Sequence, residues 1–74
     1  MHVENLIKMA NQIGSFFETM PDRPQAMTDF SMHIKRSWEP RMRRALLEYA
    51  EQQDGTELME FVRESIRTHA EEMR

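Results

Sequence analysis

The stretch Lys35-Arg36-Ser37-Trp38-Glu39-Pro40-Arg41-Met42-Arg43-Arg44 separates two helical patterns. Pro40 disfavours helical geometry at the preceding residue and suits the first position of a helix, so one helix ends before it and another begins at it. The segment carries five cations and one Glu, a charge of +4, and because the whole chain carries −3, the rest sums to −7. It also holds the only Trp. Concentrated positive charge around an aromatic side chain indicates a contact surface.

Length and composition predict one small helical domain over residues 1–74. A core of this size stabilises a fold only modestly, so such domains depend on good helix packing or on a partner. The chain has no Cys, which excludes disulfides and thiolate chemistry. No apolar run approaches the roughly 20 residues of a membrane span, and the N-terminus lacks a signal-peptide pattern. We therefore expect a cytoplasmic protein that does not contact a membrane.

Apolar residues recur at helical spacing in four stretches, and no strand pattern competes with them. The sequence thus predicts an all-α fold, a small bundle of about four short helices. Asp22 and Gln25, and again Asp54 and Glu57, have the spacing of a capping box at a helix start. The first helix is expected over about 3–19, and the second is expected to end at about Ser37. The third is expected to run from Pro40 to about Gln53, and the fourth to follow the turn at 54–57.

The first predicted helix is apolar over nearly half of its circumference. Such a helix contacts two neighbours in a bundle, or one neighbour and an outside partner. Gly14 lies on this face and costs about 1 kcal/mol of helix propensity relative to Ala. Either another backbone approaches closely there or the glycine is merely tolerated, and both explanations stay open. The face consists of Val3, Leu6, Ile7, Ala10, Ile13, Gly14 and Phe17, widened by Met9, Phe16 and Met20.

Three arginines of the basic segment oppose local preference. Lys35 and Arg36 suit the end of a helix, whose dipole favours cations. Arg41, Arg43 and Arg44 instead fall in the first turn of the third helix, where the dipole disfavours each cation by roughly 0.3–1 kcal/mol. Such violations tend to mark interface positions.

Two uses of these residues are open. In one, the arginines and Trp38 contact a partner, together with Leu47, which is expected off the core if Met42 is the centre of the buried stripe. In the other, Trp38 fills the bundle and the arginines bond acidic neighbours on the fourth helix, whose outer face reads as solvated i,i+4 ion pairs. The predicted partner-binding residues are Trp38, Arg41, Arg43, Arg44, Leu47, Met9 and Phe16.

The sequence offers no catalytic residues, no metal ligands and no cofactor motif. The three histidines lie on different elements, and His69 is expected to be partly buried and hydrogen bonded. There is no Gly-rich phosphate loop, and no serine has a neighbouring base in the sequence. A freestanding DNA-binding module is an alternative, because the basic segment could reach phosphates. The net acidity of the chain weighs against nucleic acid.

Two blocks of sequence resemble the delta subunit of soluble NAD-dependent molybdenum formate dehydrogenases. The resemblance covers roughly residues 3–50, and the fourth helix looks like the variable part of the family, where the likeness says little. The first block is Asn5-Leu6-Ile7-Lys8-Met9-Ala10-Asn11-Gln12-Ile13-Gly14 with Phe16-Phe17 and Met20-Pro21-Asp22-Arg23, and the second comprises His33, Trp38-Glu39-Pro40-Arg41-Met42-Arg43-Arg44 and Leu46-Leu47.

The resemblance implies a non-catalytic accessory subunit of an oxidoreductase complex. The large subunits of that complex interconvert formate and carbon dioxide at a molybdenum cofactor and pass electrons to NAD. The small chain would dock on the molybdenum-containing alpha subunit, and stabilise it or help it mature. A permanent subunit and an assembly chaperone remain alternatives, as does a homodimer of the isolated chain that buries the apolar arc of its first helix.

Overall fold

The computed structural model describes residues 2–53 and 55–74 and confirms the all-α prediction. Four helices follow one another: α1 (Val3–Glu18), α2 (Arg23–Ser37), α3 (Pro40–Gln52) and α4 (Glu60–Met73). The described residues contain no strand. None of these helices has the length and apolar character needed to cross a membrane.

The predicted starts of α2 and α3 are confirmed. The Asp22 side chain accepts a hydrogen bond from the backbone N–H of Gln25, with an N···O distance of 3.1 Å. This bond satisfies one of the amides that a helix start leaves without an internal partner. Glu39 is extended (φ −64°, ψ 152°), and Pro40 occupies the first turn of α3.

The start of α4 differs from the prediction. The helix begins at Glu60, later than the 54–57 turn suggested, and its N-cap residue Met59 has no side-chain cap of its own. Asp54, the first residue of the predicted capping box, lies outside the described residues. Gly55 has a φ of +59° and accepts a hydrogen bond from the Leu58 N–H at 2.9 Å. Glycine adopts this left-handed geometry without strain, so the chain turns here before the helix forms.

Asn11 of α1 holds the beginning of α4. Its side-chain oxygen accepts from the Met59 N–H at 2.9 Å, and its side-chain nitrogen donates to the Glu57 carbonyl at 3.1 Å. The side chain thus satisfies two backbone groups of the turn that precedes the helix, and a distant helix takes over what a local capping box would do.

Helices α2 and α4 share the most extensive contact in the fold. They run in the same direction, as two contacts show. Arg23 at the start of α2 pairs with Glu64 near the start of α4. Lys35 near the end of α2 donates to the backbone oxygen of Arg74 at the end of α4. The rings of Phe30 and Phe61 pack edge to face, with their centroids 5.8 Å apart. Both side chains are fully buried and form the centre of the core.

Gly14 allows close packing between α1 and α4, but the atoms that face it belong to side chains, so the close approach of another backbone is not what the structure shows. A methyl group placed on Gly14 would lie 2.5 Å from Cγ2 of Val62 and 3.2 Å from Sδ of Met59. The shorter distance is below any normal carbon–carbon contact, so a larger residue at this position requires Val62 or the helices themselves to shift.

Arg23 ties the start of α2 to both neighbouring helices. Its guanidinium pairs with Glu64 of α4 at 3.0 Å and with Glu18 of α1 at 3.7 Å, and it lies 5.4 Å from the centre of the Phe61 ring. The hydrogen bond to Glu64 raises the pKa of Arg23 above its ordinary value. These partners are partly exposed, so the pairs orient the helix ends and add little to stability.

Candidate partner-binding surfaces

Arg43 lies inside the fold, where its guanidinium completes the end of α2. The side chain is 9% exposed, and its Nη1 donates to the carbonyl oxygens of Trp38 at 2.7 Å and Lys35 at 3.0 Å. Its Nη2 lies 3.5 Å from the backbone oxygen of Arg74. Carbonyl oxygens at a helix C-terminus lack internal partners and carry partial negative charge. The cation that seemed misplaced at the start of α3 therefore serves the end of another helix.

Burial gives Trp38 and Leu47 a role within the chain. Trp38 follows the last residue of α2 and is 4% exposed, and Leu47 is 8% exposed within the hydrophobic core. The expectation that Leu47 lies off the core was wrong. The buried stripe of α3 is centred on Leu46 and includes Arg43 and Leu47, whereas Met42 is only half-buried. The stripe is rotated because α3 packs against both α1 and α4, which the apolar pattern of one helix does not reveal.

Helix α1 carries an exposed apolar ridge formed by Met9, Ile13 and Phe16, called the α1 ridge below. Phe16 is 64% exposed and Met9 39% exposed, and Ile13 is half-buried between them. Positions i, i+4 and i+7 share one side of a helix. Exposed Asn5 and Gln12, which are uncharged, flank this ridge. A charge-depleted surface with aromatic and methionine side chains has the composition of an interface core.

Arg41 and Arg44 are exposed on α3. The ion pairs within the described part of the chain involve Arg23 and Arg67, and neither Arg41 nor Arg44 takes part in one. With exposed Lys35 and Arg36 they make four exposed cations beside one exposed carboxylate, Glu39, where α2 ends and α3 begins. This surface is free to attract carboxylates of another molecule.

The seven predicted partner-binding residues therefore divide into two groups. Four of them are exposed, Met9 and Phe16 on α1 and Arg41 and Arg44 on α3, whereas Trp38, Arg43 and Leu47 are buried. The two groups do not form one contiguous patch, because the buried three support the helix ends and the core. The basic segment is therefore neither wholly available to a partner nor wholly used within the chain.

The histidines show no catalytic arrangement among the described residues. His69 is half-buried as expected, and its ring nitrogens lie 3.2 Å from Oγ1 of Thr28 and 2.7 Å from Oγ1 of Thr68. It is also the one residue inside α4 with non-helical geometry (φ −126°, ψ 21°). Within residues 2–53 and 55–74, no group of three His, Asp or Glu side chains is arranged to hold a metal ion.

A groove between α3 and α4 was missed by the sequence reasoning. It has a volume of 690 Å³ and an apolar floor beside several charged side chains. The predicted i,i+4 ion pairs on the outer face of α4 are not formed; Arg67 instead pairs with Glu64, three residues away, at 3.8 Å. Nothing in the sequence pattern of α3 or α4 predicted a groove between them.

The fold and surface define a small all-α bundle with a charge-free apolar ridge on its first helix. A model of the family of NADH-dependent formate dehydrogenase delta subunits, FdsD, matches residues 5–66. The chain belongs to this family, as its sequence blocks predicted. Comparison with curated proteins and with solved structures gives no match. A delta subunit of formate dehydrogenase is one chain of a larger oxidoreductase. Other subunits of such a complex are therefore the candidate partners for the exposed surfaces.

Proposed function

We propose that this chain is a non-catalytic accessory subunit that docks on the molybdenum-containing alpha subunit of formate dehydrogenase and stabilises it or helps it mature. The observation that carries the proposal is the α1 ridge. A Phe side chain that is 64% exposed forgoes much of the roughly 1.5–3 kcal/mol that full burial contributes. A surface of this kind on so small a domain is suited to be covered by a partner.

The proposed docking surface has an apolar part and a charged part. The α1 ridge supplies the apolar contact, and Arg41 and Arg44 supply cations that would meet carboxylates on the alpha subunit. Arginine binds a carboxylate through two parallel hydrogen bonds, so it gives orientation as well as attraction. Arg43, Trp38 and Leu47 would contribute indirectly, because they hold the start of α3 against the ends of α2 and α4.

The same proposal places the chain in the cytoplasm together with the complex. A chain without cysteine suits a reducing compartment. An isolated chain could also pair with itself through the α1 ridge. That dimer would compete with the alpha subunit for one surface, so addition of alpha subunit should dissolve it.

Removal of the chain tests the stabilising role. Deletion of its gene, with the large subunits expressed as before, should reduce both the molybdenum content of the alpha subunit and its formate oxidation. Complementation with the intact chain is the control and should restore both. If molybdenum content and activity stay at the level of the intact system, the chain neither stabilises nor matures the enzyme.

Stoichiometry separates the two forms of the role. A permanent subunit remains in the purified complex in a fixed ratio to the alpha subunit, whereas an assembly chaperone leaves the finished enzyme. Quantitative mass spectrometry of the purified complex measures this ratio.

A further inference from the structure

Met9 is the most exposed of the methionines whose side chains the structure describes. Its side chain is 39% exposed, whereas Met27 is 8% exposed and Met73 is fully buried. Water and small solutes therefore reach the thioether of Met9 more readily than those in the core. The other described methionines, all half-buried, are Met20, Met32, Met42 and Met59.

Exposure decides which methionine a peroxide oxidises, because the sulfur must meet the oxidant in solution. The chain has no cysteine, so no thiolate competes with the thioethers for the oxidant. Met27 and Met73 meet a dissolved peroxide only when the fold opens around them. Within residues 2–53 and 55–74, Met9 is therefore the thioether best placed for oxidation in the folded chain.

Oxidation of Met9 would alter the α1 ridge and leave the core unchanged. Met9 lies one helical turn before Ile13, and the exposed side chains that flank the ridge, Asn5 and Gln12, carry no charge. A sulfoxide is polar, and its oxygen accepts hydrogen bonds. Water solvates this oxygen in the free chain, so the fold tolerates it. At an apolar interface the oxygen would lose its water, and burial of a polar group without a partner is unfavourable.

We propose that Met9 is a site of reversible oxidation by hydroperoxides, and that its sulfoxide weakens docking through the α1 ridge. With hydrogen peroxide, the sulfur lone pair attacks one oxygen, an S–O bond forms and the O–O bond breaks. The sulfur loses two electrons, and the released hydroxide takes the proton of the transferred oxygen and leaves as water. Methionine sulfoxide reductases reverse the step with two thiols, which become a disulfide as water is released. The effect on docking rests on the proposed function, whereas the oxidation itself does not.

Limited oxidation of the isolated chain tests the modification site. The chain is treated with hydrogen peroxide for increasing times, the reaction is quenched, and the oxidised methionines are mapped by mass spectrometry. We expect Met9 to be oxidised about tenfold faster than Met27 and Met73 in the folded chain. In denaturant the three rates should become similar, because the fold alone separates them. Oxidation of Met9 at the rate of Met73 in the folded chain would overturn the inference.

The affinity for the alpha subunit tests the effect on docking. The chain is oxidised, freed of peroxide and titrated with untreated alpha subunit, and its Kd should rise by about tenfold. Met9→Leu keeps an apolar side chain of similar size without the sulfur, so peroxide treatment should leave the Kd of this variant where it was before treatment. Met42→Leu, on α3, retains Met9 and should lose affinity on oxidation as the unmodified chain does. Circular dichroism checks that each oxidised chain keeps its fold.

Reduction of the oxidised chain by methionine sulfoxide reductases and a dithiol should restore its affinity. An unchanged Kd with Met9 fully converted to the sulfoxide contradicts the inference. An equal loss of affinity by oxidised Met9→Leu also contradicts it, since the effect then belongs to another methionine. Failure of the untreated chain to bind the alpha subunit refutes the proposed docking, whereas binding that is indifferent to oxidation refutes this inference alone.

Discussion

Arg43 has a buried charge that is bound by carbonyl groups without a carboxylate. The oxygens of Lys35 and Trp38 accept from its Nη1, and its Nε is buried with no hydrogen-bond partner. A buried guanidinium is costly to desolvate, so the bonds that remain must be well formed. Arg43 therefore fixes how α2 and α3 meet, and its loss should lower the stability of the whole fold.

Arg43→Met keeps most of the side-chain stem and removes the charge and its hydrogen bonds. Hydrogen bonds from a charged donor contribute about 1.5–3 kcal/mol each, and the freed carbonyls would lose partners in a buried site. We expect the free energy of unfolding to fall by about 2–4 kcal/mol in denaturant titration. Arg41→Met is the control, because Arg41 is exposed, and it should change stability by about 0.5 kcal/mol or less. Equal effects of the two substitutions would refute the role of Arg43.

Gly14→Ala sets helix propensity against packing. Ala favours the helix by about 1 kcal/mol, but its methyl group would meet Val62 at 2.5 Å, and overpacking costs about 1–3 kcal/mol. Val62 has a stiff, branched side chain, so the clash should prevail and the substitution should destabilise the fold. In a Val62→Ala background the same change should be neutral or stabilising. A double-mutant cycle measures the coupling, and an absence of coupling contradicts the close approach of α1 and α4.

The beginning of α4 depends on a side chain of α1. Asn11→Ala removes both bonds to the 57–59 turn and should destabilise the fold by about 1–2 kcal/mol. Amide exchange should accelerate mainly at Met59 and in the first turn of α4, while the amides of α2 keep their protection. Gln12→Ala, on the exposed side of α1, is the control and should alter neither. Uniform acceleration across all helices would contradict a local fastening.

The spacing of apolar residues predicted the helices whose bounds depend on local sequence. The features that it did not predict depend on contacts between helices. The bounds of α1, α2 and α3 and the capping role of Asp22 follow from spacing and turn chemistry. The burial of Arg43 could not be predicted from spacing, because it depends on the ends of α2 and α4 meeting above the start of α3. The start of α4 was misplaced for a similar reason, since its cap comes from Asn11, 48 residues away.

The candidate site was predicted in part. The exposed ridge follows from an apolar arc on α1 that is too broad for the neighbours the chain provides. The arginines predicted partner-binding positions less reliably, because the positive charge at a helix start can be compensated in two ways. A partner can supply negative charge, as proposed for Arg41 and Arg44, or another part of the same chain can supply carbonyl oxygens, as found for Arg43.

The charge of the chain is distributed unevenly along its sequence. The net charge is −3, yet the segment from Lys35 to Arg44 carries +4. If these residues meet carboxylates of the alpha subunit, Arg41→Glu combined with Arg44→Glu should slow association, and the difference from the unmodified chain should shrink as salt rises. Stopped-flow or surface-binding kinetics at two salt concentrations measure this. Lys8→Glu makes a single charge reversal elsewhere, and an equal effect per charge would indicate general attraction with no defined contact.

The α1 ridge carries the proposed docking, so the affinity of ridge variants for the alpha subunit tests it directly. Met9→Ser combined with Phe16→Ser replaces two exposed side chains, so the isolated chain should keep its fold and its stability within about 1 kcal/mol. Loss of a buried Phe contact at an interface should weaken the Kd for the alpha subunit by about tenfold or more in titration calorimetry. Lys8→Ser, at an exposed position of the same helix outside the ridge, should leave the Kd unchanged. An unchanged Kd for the Met9 and Phe16 double variant would contradict docking through this ridge.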